Sequence, residues 1–220
     1  FNTKLYTGTG SSNAITGVGF QPDWTWIKSR NNGTNNNHML FDAVRGATKY
    51  IKSDQNSVEN TLAETLKSFD TDGFTVGTQG DVNSNSINFA SWNWKANGSG
   101  SANTDGDINS TVSVNTAAGF SIVKYTGSGS VATIGHGLGV APKLIMVKRL
   151  TGGTEAFPVD CRAANGIMYL NETSTLGSYG NSNPFPSDAP TSTLFYVGSA
   201  NNTNASGSDF IAYCFAEKTG

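Results

Sequence analysis

Pro22-Asp23-Trp24-Thr25-Trp26-Ile27-Lys28 returns later in the chain as Pro142-Lys143-Leu144-Ile145-Met146-Val147-Lys148. The proline, the closing lysine and the bulky alternate positions are kept. Outward from this pair, Lys4–Gly10 (KLYTGTG) matches Val123–Gly129 (VKYTGSG), and Gly17-Val18-Gly19-Phe20 matches Gly135-His136-Gly137-Leu138. Phe41-Asp42 falls against Val159-Asp160, with Arg45 near Arg162. Phe74–Gly77 matches Phe195–Gly198, and Phe89–Trp94 matches Phe210–Phe215. The offsets stay between 118 and 121, so six blocks keep their order. That is the mark of one supersecondary unit written twice. The copies run over 1–98 and 118–220. The Gly/Ser/Asn-rich stretch at 99–117 reads as a flexible linker with the strand that leads into copy two.

Within each copy the period is 2. Trp24, Trp26 and Lys28 alternate with Thr25 and Ile27, and Phe120, Ile122 and Lys124 alternate with Ser121, Val123 and Tyr125. Leu144–Val147 is continuously apolar, as in a central sandwich strand. Turn signals such as Asp72-Gly73, Asn31-Asn32-Gly33 and Asp105-Gly106 separate the runs. The fold class is therefore all-β: two tandem antiparallel β-sandwich (jelly-roll-like) repeats. One short helix is an open alternative over 57–69. There Asn56 and Glu59 have capping-box spacing, and Val58, Leu62 and Leu66 share a face. Copy two lacks that pattern.

Composition agrees. Gly, Asn, Ser and Thr make up 99 of the 220 residues, and helix-forming long side chains are scarce. Coiled coils, bundles and helical solenoids are excluded. Twelve Phe, seven Tyr and four Trp supply a core, against disorder. The net charge is -2 and the 14 basic residues are scattered, which argues against a nucleic-acid partner. No run reaches the ~18 apolar residues of a membrane span, and no signal peptide is visible. The chain opens at Phe1, and it is expected to be a processed product or a segment of something longer. Cys161 and Cys214 read as two buried thiols, with one bridge as the alternative.

Several constellations bear on chemistry. Trp24, Trp26, Trp92 and Trp94 would make a sugar-stacking platform. Their partners in copy two, however, are Leu144, Met146, Tyr213 and Phe215. Two of these are not aromatic, so a packed interior is the reading preferred for all four. Asp70-Thr71-Asp72-Gly73 and the run 103–109 are acidic turns. Asp105 and Asp107 are weak Ca²⁺ candidates, but Gly106 comes too early for an EF-hand loop and no bidentate Glu follows, so side-chain-fixed turns are preferred. His38 and His136 stand alone and at non-equivalent positions, with no His/Cys cluster for zinc and no Gly-x-Ser-x-Gly elbow for a hydrolase. The Gly-rich string around His136 lacks the strand-to-helix setting of a phosphate cradle. Asp42 with Arg45, and Asp160 with Arg162, read as structural ion pairs. Acidic residues are nearly absent from strands, so paired catalytic carboxylates are not expected and the protein reads as a non-enzyme with no cofactor. The long polar loops differ between the copies. Their residues Asn32, Thr34, Asn36, Tyr179, Asn181 and Asn183 are the rim candidates for recognition, with inert solvated connections as the alternative.

The strings GVGFQPDWTWIK, LFDAVRGATKYI, SFDTDGFTVG, FASWNWKANG, NTDGDINSTVSVNTAAGFSIVKYTGSG, GHGLGVAPKLIMVK and DFIAYCFAEKTG resemble a tandem β-sandwich domain of marine tailed-bacteriophage virion proteins. That domain occurs in tail-fibre-like and lectin-like (laminin-G-type) proteins, and the likeness covers essentially the whole chain. It implies a non-enzymatic component at the virion surface, in a fibre, spike or appendage. The expected partners are other virion subunits, as a homo-oligomer, and host-surface glycan, without membrane insertion. The alternatives are a purely architectural capsid-decorating or filament-forming subunit and, further off, a polysaccharide-degrading enzyme.

Overall fold

The computed structural model describes residues 1–31 and 36–218, with Ala163 described in its backbone only. The chain divides into two compact units, Phe1–Gln55 with Glu59–Ser99, and Asn56–Val58 with Gly100–Gly220.

Among the described residues the first unit forms β1 (Asn2–Thr7), β2 (Asn13–Thr16), β3 (Trp24–Ser29), β4 (Met39–Asp42), β5 (Lys49–Lys52), β6 (Asn60–Thr61), β7 (Leu66–Asp70), β8 (Gly73–Val76), the one-turn helix α1 (Gly80–Asn83) and β9 (Asn88–Trp94). One antiparallel sheet runs β1-β9-β3-β4-β5-β6 and a second runs β2-β8-β7. Ile27, Met39, Phe41 and Phe89 of the large sheet meet Ile15, Leu66, Phe74 and Val76 of the small one, with Val82 of α1 alongside. This is a β-sandwich core.

The second unit forms β10 (Ser101–Asn103), β11 (Ser110–Asn115), β12 (Phe120–Thr126), β13 (Ala132–Gly135), β14 (Pro142–Arg149), β15 (Pro158–Cys161), β16 (Gly166–Tyr169), β17 (Leu194–Val197), α2 (Asn201–Asn204) and β18 (Asp209–Ala216). Its large sheet runs β10-β11-β12-β18-β14-β15-β16, and β13 pairs with β17. Val123, Tyr125, Ile145, Val147 and Phe210 pack against Ile134, Phe195 and Val197 across the layers.

The order β1-β9-β3-β4-β5 is the order β12-β18-β14-β15-β16, so the strand layout of the two units is the same. The match extends to atoms. The Tyr6 hydroxyl donates to the Val82 carbonyl at 2.6 Å, and Tyr125 donates to the Thr203 carbonyl at 2.6 Å. Tyr6 stacks on Phe89 at 5.2 Å and Tyr125 on Phe210 at 5.3 Å. The repeated Thr-Gly-(Thr/Ser)-Gly string has a cause in each unit. A Cβ on Gly8 would lie 2.1 Å from the Ser84 carbonyl oxygen, and one on Gly127 would lie 2.4 Å from that of Ala205, so both positions exclude any larger residue.

Two expectations change. The 57–69 segment carries no helix; it holds β6, a turn and β7. Leu66 is buried in the sandwich opposite Val76, and the Thr65 and Glu64 carbonyls accept from the Gly77 and Gln79 amides. Long-range pairing with β8 wins over a local helical pattern that lacks further support. The linker and entry strand expected over 99–117 are largely ordered, with β11 in the place of the entry strand. β10 and β11 pair with each other, and β11 pairs with β12 from Ser110↔Tyr125 to Asn115↔Phe120. The sheet of the second unit thus continues past β12. Its counterpart β1 has β9 as its one strand partner among the described residues.

Candidate functional site

β3 and β9 of the first unit pair Trp24 with Trp94 and Trp26 with Trp92. Side chains two apart share a face. Ile27 and Phe89 point into the sandwich, so the four indoles stand on the opposite face of the large sheet. Trp24 is 0% exposed, with the Trp94 ring 4.2 Å away. Trp26, Trp92 and Trp94 are half-buried, and with His38 they line a hollow of ≈ 260 Å³. The expectation of a packed interior therefore fails for three of the four. The repeat showed that bulk and apolarity are retained at these positions, and an apolar outer face satisfies that condition as well as a core does. Phe1, 63% exposed, lies 4.8 Å from the Trp94 ring.

His38 is the residue that sequence reasoning left without a role. It precedes β4 directly, and its backbone N–H donates to Asp54 Oδ1 at 3.1 Å. Its Nδ1 accepts from Trp26 Nε1–H at 2.9 Å. An indole N–H only donates, so Nδ1 carries the lone pair and the proton sits on Nε2. Burial holds the imidazole below its ordinary 6.5; the nearby Lys28 adds to this, and Asp54 opposes it. Lys28, next on the same strand face, donates from Nζ to the Asn36 carbonyl. The one signal available in the sequence was that His38 has no counterpart in copy two.

A pH dependence follows. The folded state favours the neutral ring, so its contribution to stability is complete above 6.5 and is lost as pH falls through the lowered folded value. Protonation also sets Nδ1–H against Trp26 Nε1–H. Tryptophan emission is expected to change with a midpoint below 6.5, and His38→Phe to abolish the transition. A midpoint above that value would contradict the assignment.

The loop candidates fall elsewhere. Asn32 and Thr34 lie outside the described residues. Asn36 donates from Nδ2 to the Gly80 carbonyl at 3.4 Å. The Tyr179 hydroxyl donates to Asp160 Oδ1 at 2.8 Å, and its ring lies 4.0 Å beneath the Arg162 guanidinium. Burial, the bond to Asp160 and its charge push Tyr179 up to about 12. Asn183 Nδ2 donates to the Ser178 carbonyl at 2.8 Å, and the Asn181 carbonyl accepts from the Ser199 amide at 2.8 Å. These contacts knit the 178–199 loop to itself and to β15.

The charged groups are also tied inward. Asp42 and Arg45 pair at 2.5 Å, and Asp160 and Arg162 at 3.0 Å, as structural ion pairs. Asp107 Oδ2 accepts from the Thr133 hydroxyl at 2.7 Å and its amide at 3.0 Å. Asp105 accepts from Asn103 Nδ2 at 2.8 Å. Among the described residues no group of three His, Cys, Asp or Glu side chains gathers as metal ligands. His136 is buried, with Nδ1 accepting from the Leu138 amide at 3.1 Å and Nε2 within 3.2 Å of the Thr191 carbonyl, and it fixes a turn. Both thiols are free; Cys214 is buried while Cys161 is half-buried.

The hollow thus joins three indole walls and one imidazole on a sheet face, built from β3, β9 and the residue before β4. It is apolar, and no carboxylate lines it. Neither a curated protein nor a solved structure matches the chain. A family model described as a domain of unknown function, DUF7483, matches residues 1–220, and the chain belongs to that family.

Proposed function

We propose that the chain is a non-enzymatic component of a tailed-bacteriophage virion surface, in a fibre, spike or appendage, and that it binds host-surface glycan through the Trp26–Trp92–Trp94–His38 hollow. The hollow is the observation that supports the binding half of this reading. Aromatic rings set in a shallow apolar recess accept the C–H faces of sugars, and half-exposed indoles on a sheet face carry no folding benefit proportionate to their area. The likeness of the repeat strings to virion proteins supports the setting. Binding without catalysis fits a lining that has no carboxylate, since glycoside hydrolysis uses two. The test is a glycan array with the intact chain. Binding is expected to disappear in Trp26→Ala, and incubation with the bound polysaccharide is expected to release no reducing ends. Retained binding in the variant would move the site elsewhere; released ends would make the protein an enzyme.

A second reading, an architectural subunit, draws on β1. Leu5 is 58% exposed on this edge strand, whereas the matching strand β12 is flanked by β11. Edge strands left open are templates for pairing with a neighbouring subunit. Leu5→Lys is then expected to lower the oligomeric state seen by sedimentation, and an unchanged state would remove β1 as an interface.

A further inference from the structure

We propose that the hollow selects sugars bearing an acetamido group, with the methyl against the indole walls and the carbonyl oxygen accepting from His38 Nε2–H. This rests on the glycan-binding reading and narrows it to a ligand class.

Trp26 meets Trp92 at 6.3 Å and 70°, and meets His38 at 5.7 Å and 76°. Rings near right angles form walls rather than a floor. A flat floor stacks against one face of a pyranose; crossed walls surround a small apolar protrusion. A methyl group has that size, and its C–H bonds present positive edges to the negative indole faces.

Trp26 occupies His38 Nδ1, so the imidazole can offer the hollow only Nε2–H. The other lining side chains are indoles, whose N–H donates and cannot accept, and that of Trp26 is given to His38. The complementary ligand must therefore accept. An amide carbonyl is a strong acceptor, and in an acetamido group it sits one bond from the methyl. An unsubstituted hexose has hydroxyls but no methyl to fill the walls.

Indole walls also attract quaternary ammonium groups. Here Lys28 stands on the same strand face, two residues from Trp26, and the lining holds no carboxylate. Asp54 is hydrogen-bonded to the His38 amide, and Asp81 of α1 to the Asn37 amide at 3.2 Å. Lys52 pairs with the core residue Met39 and so belongs to the opposite face of the sheet. The field at the hollow is mixed and gives a cation no dedicated partner.

The experiment titrates the intact chain at pH 7.5 with the methyl glycosides of N-acetylglucosamine, glucose and glucosamine, and with choline, read by tryptophan fluorescence and by NMR shifts of the indole N–H signals. The acetamido glycoside is expected to bind about tenfold or more tightly than the other three, the scale of one hydrogen bond plus a filled methyl site. His38→Phe keeps an aromatic wall and is expected to lose that preference. The ligand series tests the proposal even if this variant fails to fold. Equal binding of the N-acetylglucosamine and glucose glycosides would overturn acetamido selection and leave the glycan reading standing. Tighter binding of choline would overturn both in favour of a cation cage. No binding by any glycoside at pH 7.5 would overturn both as well.

Discussion

Asn83→Ala is expected to cost the first unit about 3–5 kcal/mol. The side chain is fully buried and serves three separate pieces of backbone. Nδ2 donates to the Gly77 carbonyl at 2.6 Å and the Ser11 carbonyl at 2.5 Å, while Oδ1 accepts from the Thr9 amide at 2.9 Å. Alanine leaves the buried Gly77 carbonyl unsatisfied, at about 1–3 kcal/mol, and forfeits the bonds to the exposed Thr9 and Ser11, at about 0.5–1.5 kcal/mol each. The second unit repeats the staple. Asn204 donates to the Gly198 carbonyl at 3.0 Å and the Ser130 carbonyl at 2.5 Å, and accepts from the Ser128 amide at 2.8 Å. Asn204→Ala is expected to cost a similar amount. Asn83→Asp keeps the acceptor but turns both donors into carboxylate oxygen facing carbonyls, so it is expected to be no better than alanine. Urea unfolding measures these differences. A loss under about 1 kcal/mol in both alanine variants would mean that water replaces the amide, and the staple would carry little of the fold.

The staple also shows what the sequence could disclose. Asn83 and Asn204 are 121 apart, the same offset as the blocks on either side, Phe74 with Phe195 and Phe89 with Phe210. The pair was there to be found, yet in a chain with 24 asparagines a polar match draws no attention beside an aromatic one. The duplicated strand layout was legible because period 2 and bulky side chains repeat together. An entry strand was foreseen over 99–117, but β10 was not, because residues 1–98 hold no segment to compare with that stretch. The 57–69 segment misled because three apolar residues at helical spacing also satisfy a turn followed by a strand, and only the partner β8 decides between them. At the hollow, the exchange of indoles for Leu144 and Met146 correctly showed that the position is apolar. It could not show which side of the sheet it lies on. Alternation gives two faces and does not say which is the core; Ile27 and Phe89 on the other face settle that in the fold.

The outer face makes a sharper test possible at one duplicated position. Trp92 and Tyr213 are repeat partners, and each lies in a strand flanked by strands on both sides, β9 by β1 and β3 and β18 by β12 and β14. Tyr213 is fully buried, so Tyr213→Ala is expected to cost about 3–5 kcal/mol, as large-to-small changes in packed sites do. Trp92 is half-buried and walls the hollow, so Trp92→Ala gives up less buried area and is expected to cost about 1–2 kcal/mol. Its larger effect should fall on binding. Removing one of two crossed walls opens the recess to water, and glycan affinity is expected to drop at least about tenfold, equivalent to ~1.4 kcal/mol. Trp92→Phe restores a ring without the N–H and should recover part of that loss. Urea unfolding and the glycan titration, run on the same preparations, separate the two effects. If Trp92→Ala loses as much stability as Tyr213→Ala and leaves affinity unchanged, the indole serves packing alone and the first unit has no claim to a binding site on this face. If stability holds while affinity falls, then two positions descended from one residue and set on the same face of the sheet have parted, one kept buried and the other released to meet a ligand.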